Sequence, residues 1–76
     1  MRVLLVEDDV MIAEAVAGSL RDTGYAVDWV KDGKLVASAL AAQTYDLMLL
    51  DLGLPNQDGL HVLQALRQKG NTVPVL

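Results

Sequence analysis

Tyr45-Asp46-Leu47-Met48-Leu49-Leu50-Asp51-Leu52-Gly53-Leu54-Pro55-Asn56-Gln57-Asp58-Gly59 is the stretch that decides how this chain folds. Four consecutive apolar residues, Leu47 to Leu50, are stopped by one carboxylate, Asp51. An apolar run with no polar alternation suits a strand buried on both faces, as the strands of a parallel sheet are. Asp51 then stands at the strand's carboxyl end, where open α/β sheets place their ligand sites. Pro55 pushes Leu54 toward extended geometry and helps the following loop turn away from the sheet. Asp58-Gly59 starts the next helix. Near the amino terminus the design repeats: Val3-Leu4-Leu5-Val6 ends in Glu7-Asp8-Asp9. Two buried parallel strands, each ending in carboxylate, bring acids together at one edge of a sheet.

Outward from these two strands, the chain alternates strand and helix. Arg2 to Glu7 reads as the first strand. Val10 to about Thr23 reads as an amphipathic helix, with Ile12, Val16 and Leu20 four apart and Ala13 and Ala17 on the same stripe. Asp9 or its neighbour caps it, and Gly24 is a natural left-handed stop. Tyr25 to Val30 is rich in strand formers and partly alternating, as an edge strand half open to water should be. Lys31-Asp32-Gly33 is a turn. A short helix is expected over Lys34 to Ala42, with Leu35, Val36, Ala39 and Leu40 inward. A third helix runs from Gly59 to about Lys69, with Leu60, Leu63 and Leu66 at three-residue spacing and Gly70 ending it. Val73 to Leu76 begins a fourth strand. Short turns between alternating elements imply βαβ units and a parallel α/β sheet.

The acids each have a structural reading beside a chemical one. Glu7, Asp8 and Asp9 can charge and cap the first helix, where the macrodipole favours negative groups, and for Asp9 that reading is preferred. Asp51 beside a second acidic strand end becomes a site, because clustered like charges repel unless a cation joins them. Three carboxylates without His or Cys suit a hard divalent ion; Mg²⁺ takes few carboxylates and several waters, and the D-x-D-x-D-G loop expected for Ca²⁺ is absent. His61 reads as solvated. Trp29 and Tyr25 read as edge-strand packing rather than a base-stacking platform. Lys31, Lys34, Arg67 and Lys69 are scattered and read as a solvated face.

MRVLLVEDD followed by an amphipathic helix, then YDLMLLDLGLPNQDG followed by another, resembles the receiver domain of bacterial two-component response regulators, most closely the OmpR/PhoB type. The resemblance covers the whole chain, and the VLLVEDD and LLDLGLPNQDG motifs together are far more specific than either alone. It implies a flavodoxin-like, doubly wound parallel sheet of order 2-1-3-4-5, of which residues 1–76 supply 2-1-3-4 as a receiver domain incomplete at its carboxyl end. It implies that Asp51 is the phospho-acceptor, attacking the phosphohistidine of a sensor histidine kinase. Asp8 is then the direct Mg²⁺ ligand with Asp51, Glu7 helps through water, and Gly53 supplies its backbone carbonyl. The family's strand-four Ser or Thr, strand-five Lys and winged-helix DNA-binding domain lie outside these residues.

Composition agrees. The chain has 76 residues, 53% hydrophobic and 21% charged, with a net charge of −4 and no cysteine. A domain this size buries only about 60% of its unfolded surface and is marginal alone. The negative charge argues against nucleic-acid binding by this segment. The absence of cysteine excludes disulfides and thiolate metal sites and fits a reducing compartment. No run approaches the ~20 apolar residues of a membrane span, so a cytoplasmic location without membrane partners is expected. The open apolar edge at Val73 to Leu76 is expected to pair with a second chain, as a homo-oligomer or by domain exchange. Two rival readings remain. A phosphatase of the haloacid-dehalogenase type would also use an aspartate after a buried strand, but it needs a second Asp where Gly53 stands. A structural or oligomerising piece would keep the fold without the chemistry.

Overall fold

The computed structural model describes residues 1–51 and 59–76. Its central strand is β1 (Arg2–Val6), which lies between β2 (Ala26–Val30) and β3 (Leu47–Leu50) and runs parallel to both. Val3, Leu4, Leu5 and Val6 are all buried, as a run without alternation requires when successive side chains point to opposite faces. Leu4 and Val6, level with Met48 and Leu50 of β3, meet Val36, Tyr45, Val62 and Leu66 on one face. Val3 and Leu5, level with Val27 and Trp29 of β2, meet Ala13 and Ala17 on the other. Helix α1 (Val10–Asp22) therefore covers one face, while α2 (Val36–Ala42) and α3 (Gly59–Gln68) cover the opposite one. This is the expected doubly wound α/β arrangement.

The fourth strand begins where the sequence places it. The Met48 amide donates to the Pro74 carbonyl at 2.8 Å, the Leu76 amide to the Met48 carbonyl at 2.9 Å, and the Leu50 amide to the Leu76 carbonyl at 3.1 Å. Met48 and Val75 form a single parallel bridge, which extends the order to 2-1-3-4.

Local signals account for the element ends. The Asp9 side chain accepts from the Met11 and Ile12 amides at 2.9 and 3.1 Å, capping α1. Gly24 and Gly70, at φ of +100° and +82°, take the left-handed positions that follow α1 and α3. Asp32 accepts from the Lys34 amide at 2.9 Å, and this opens a 3₁₀ turn (Gly33–Leu35) before α2.

Ala13, Ala17, Val36 and Leu66 are buried, and Val16, Leu20, Ala39 and Leu40 pack against the core, as expected, but three expected inward residues are not. Ile12, Leu35 and Leu60 are exposed (51%, 48% and 52%). The buried positions are Ala13 and Ala17 on α1, Val36 on α2, and Gly59, Val62 and Leu66 on α3. The three-residue spacing of Leu60, Leu63 and Leu66 drifts off a 3.6-residue stripe, whereas Gly59, Val62 and Leu66 stay on it. On α1 the small alanines sit against the sheet, with Val16 and Leu20 only partly buried beside them. β2 starts at Ala26 rather than Tyr25, and β1 ends at Val6 rather than Glu7.

A polar clamp joins the strands toward their amino ends. The Tyr45 hydroxyl donates to Asp28 at 2.6 Å, and the Arg2 guanidinium donates to the same oxygen at 2.9 Å. Asp46 accepts from the Arg2 amide at 2.8 Å. The Tyr45 hydroxyl first, and Arg2 second, hold the Asp28 carboxyl below its ordinary 3.8 against the opposing effect of burial. Burial, and then the Asp28 carboxylate, push the Tyr45 phenol up to about 12.

Two predictions follow the packing and the clamp. Leu66→Ala should cost about 2–5 kcal/mol, while Leu60→Ala should stay within about 0.5 kcal/mol, as read by urea unfolding. The lowered Asp28 value contributes stability that is complete above pH 3.8 and lost as pH falls through the folded value. The raised Tyr45 value contributes stability that is complete below pH 10 and lost as pH rises toward about 12. Tyr45→Phe should therefore weaken the acid limb, abolish the alkaline one and cost ~1 kcal/mol near neutrality in pH-dependent melting. An acid limb like the parent's would assign the Asp28 effect to Arg2 instead.

Candidate metal centre at the carboxyl edge of the sheet

The hydrogen-bond ladder runs one residue past the ends of the strands, and this positions the acids. The Asp51 amide donates to the Val6 carbonyl at 3.0 Å, and the Glu7 amide donates to the Val30 carbonyl at 3.1 Å. Glu7 and Asp51 thus leave the sheet from adjacent strands at one level, with Asp8 next along the chain. One carboxylate oxygen from each of Glu7, Asp8 and Asp51 can be chosen so that all three lie within 4.8 Å of one another. Glu7 and Asp51 are half-buried and Asp8 is exposed.

The cluster carries an electrostatic cost. Burial raises the Glu7 carboxyl above its ordinary 4.5; the Asp9 amide, which donates to Glu7 Oε1 at 3.3 Å, opposes this, and the Asp51 and Asp8 charges raise it further. A raised acid disfavours the ionised fold as pH rises, and a cation bound between the carboxylates relieves that penalty. The donor set is all oxygen, with no imidazole or thiolate, so it fits a hard divalent ion such as Mg²⁺ and not a softer metal.

Of the site residues expected from the sequence, Glu7, Asp8 and Asp51 converge. Asp9 turns away to cap α1, as preferred. Gly53, with Leu54, Pro55 and Asp58, lies outside the described residues. His61 is exposed on α3. Trp29 does more than pack at an edge: its indole N–H donates to the Glu7 carbonyl at 2.8 Å. The signal was available, since a half-buried indole usually finds a polar partner. Its partner lies 22 residues away and is set only by the β1–β2 register. Lys31 is not merely solvated either, since its ammonium stands 5.3 Å from the centre of the Trp29 ring. A cavity of 490 Å³ between α2 and α3 is lined by none of the three acids.

Comparison with known proteins agrees with this geometry. Residues 3–76 match the family described as Response regulator receiver domain. Transcriptional regulatory protein QseB of Haemophilus influenzae is 49% identical over 76 residues, covering all of this chain and 34% of QseB. Response regulator protein PmrA of Pseudomonas aeruginosa is 43% identical over 76 residues, with the same coverage of 100% and 34%. The chain therefore spans about a third of the length of the curated relatives it matches. Among solved structures, the receiver domain of the Francisella response regulator 1452 matches with a TM-score of 0.92 at 28% identity, covering 97% of this chain and 61% of that one. Response regulator TrrA of Thermotoga maritima, in complex with Mg²⁺-BeF, matches with a TM-score of 0.83 at 32% identity, covering 90% and 59%. The complex of histidine kinase ThkA with TrrA matches with a TM-score of 0.88 at 30% identity, covering 97% and 64%. With a family match from residue 3 to residue 76, and relatives that are transcriptional regulators of the OmpR/PhoB type, this chain belongs to the response regulator receiver domain family.

Proposed function

We propose that the chain is a phospho-acceptor switch domain in which Asp51 takes a phosphoryl group from the phosphohistidine of a sensor histidine kinase. The observation that carries this reading is the convergence of Glu7, Asp8 and Asp51 at the carboxyl ends of two adjacent parallel strands. Asp51 is the acceptor: one of its carboxylate oxygens bonds to phosphorus as the phosphorus–nitrogen bond to imidazole breaks, leaving an acyl phosphate on this chain. Asp8 ligates the metal directly together with Asp51, Glu7 acts through water, and Gly53 contributes its carbonyl. Held by these residues, Mg²⁺ would supply charge neutralisation for the phosphoryl group that Asp51 accepts. The protein's own part is positioning. The ladder bonds from Asp51 to Val6 and from Glu7 to Val30 hold the acceptor and its neighbours in place before the phosphoryl group arrives.

Three findings about other proteins support the partners. TrrA is seen with Mg²⁺-BeF and in complex with the histidine kinase ThkA, and QseB is a transcriptional regulatory protein of which this chain matches a third. By the same reading, residues 1–76 belong to one receiver domain. The whole protein acts in the cytoplasm and regulates transcription through a separate winged-helix DNA-binding domain. The acidic charge of this segment leaves DNA contact to that other domain. No helix among the described residues is long and apolar enough to cross a membrane.

Metal binding is tested by melting the full-length protein. Millimolar Mg²⁺ should raise Tm by the mass-action contribution of native-state binding. Asp51→Asn should melt higher than the parent without Mg²⁺ and respond less to it. Mg²⁺ affinity should also rise with pH as the raised Glu7 carboxyl ionises, because ligands must be deprotonated to bind. A lower apo Tm for Asp51→Asn with an undiminished Mg²⁺ response would move the site elsewhere.

Phosphorylation is tested by incubating the full-length protein with acetyl phosphate and Mg²⁺ and weighing the intact protein. The expected result is one acid-labile phosphoryl adduct, absent from Asp51→Ala. Asp9→Ala should keep most of it and lose only the helix cap, about 1 kcal/mol. Equal loss in both variants would mean that the acids are misassigned. Steady release of phosphate without an adduct would point to a phosphatase.

A further inference from the structure

The parallel register between β1 and β2 ends at the edge of the metal centre. Val6 pairs with Val30, and the Glu7 amide donates to the Val30 carbonyl at 3.1 Å. In a parallel ladder of that register, the next bond would bring the Asp32 amide to the Glu7 carbonyl. β2 ends at Val30, however, and Asp32 instead opens the 3₁₀ turn. At the same end of the ladder, the Trp29 indole N–H donates to the Glu7 carbonyl at 2.8 Å. Both backbone polar groups of Glu7 are thereby held by the last two residues of β2.

We propose that Trp29 is a positioning residue of the Glu7–Asp8–Asp51 centre, fixing the peptide that joins Glu7 to Asp8 so that both carboxylates face Asp51. The carbonyl it grips belongs to that peptide, so releasing it frees the plane that aims the two acids. The Lys31 ammonium, 5.3 Å from the ring centre, helps hold the indole in place. Outer partners of this kind orient ligands, and removing them costs metal affinity without removing a ligand. Trp29 touches neither the metal nor the phosphoryl group; it acts through Glu7. The inference rests on the reading of the three acids as an Mg²⁺ site.

The test is calorimetric titration of the full-length protein with Mg²⁺, for the parent, for Trp29→Phe, and for a protein carrying benzothienylalanine in place of Trp29. The last keeps the ring shape and replaces the N–H with sulfur, so it decides the matter if Trp29→Phe fails to fold. Both variants should bind Mg²⁺ about tenfold more weakly than the parent. In the parent, the Trp29 indole N–H resonance should move on Mg²⁺ addition, and it should not move in Asp8→Ala. A packing role would lower Tm but leave the dissociation constant of the benzothienylalanine protein within about twofold of the parent's, below the loss expected for an orienting partner, and that result would overturn the proposal. A parent that takes up no Mg²⁺ would overturn the metal-site reading and this inference together. A parent that binds, with an isostere that binds equally well, would overturn this inference alone.

Discussion

The molecule depends on the parallel ladder that β1 makes with both neighbours. Val6 stands level with Val30 on one side and with Leu50 on the other. Because the three strands point the same way, the residues that follow them emerge together, and the ladder carries on through the Glu7 and Asp51 amides. A slip of one residue would turn every side chain to the opposite face. It would move Leu4 and Met48, both with no exposed surface, from the side packed by Val36, Val62 and Leu66 to the side packed by Ala13 and Ala17, where the space is shaped for Val3 and Leu5. The hydrophobic core thus sets the register, and the register brings the carboxylates together.

The two ends of the sheet are opposite in electrostatic character. Toward the amino ends, Asp28 shares an oxygen between the Tyr45 hydroxyl and the Arg2 guanidinium, and Asp46 accepts from the Arg2 amide. There the charge is matched within the chain. At the carboxyl ends, three carboxylates crowd one another with Glu7 pushed above its ordinary range. Like charges gathered there repel one another unless a cation joins them.

Family membership fits this division. The match spans residues 3–76, so it takes in the core strands, the acids and the start of the fourth strand alike. Solved receivers share this backbone at identities of 28–32%, with TM-scores of 0.83 to 0.92. A sheet specified by apolar runs and strand-end acids can hold its shape while helix surfaces change.

By itself, the sequence determined the strands, their parallel arrangement and the identity of the clustered acids. These rest on short-range patterns: an apolar run stopped by Asp51, a second stopped by Glu7, a cap at Asp9, and glycines where a left-handed residue is required. The margins of each helix's inward stripe were decided only in three dimensions. Ala13, Ala17, Val36 and Leu66 stand inward as their spacing suggests, whereas Ile12, Leu35 and Leu60, apolar and at the same spacing, are exposed and Val62 is buried. Periodicity shows that a stripe exists; how each helix sits on the sheet decides its margins, and on α1 the small Ala13 and Ala17 face the sheet. The Tyr45–Asp28–Arg2 clamp and the grip of Trp29 on Glu7 were likewise invisible in one dimension. Their partners are 17 to 26 residues apart, and only strand pairing makes them neighbours.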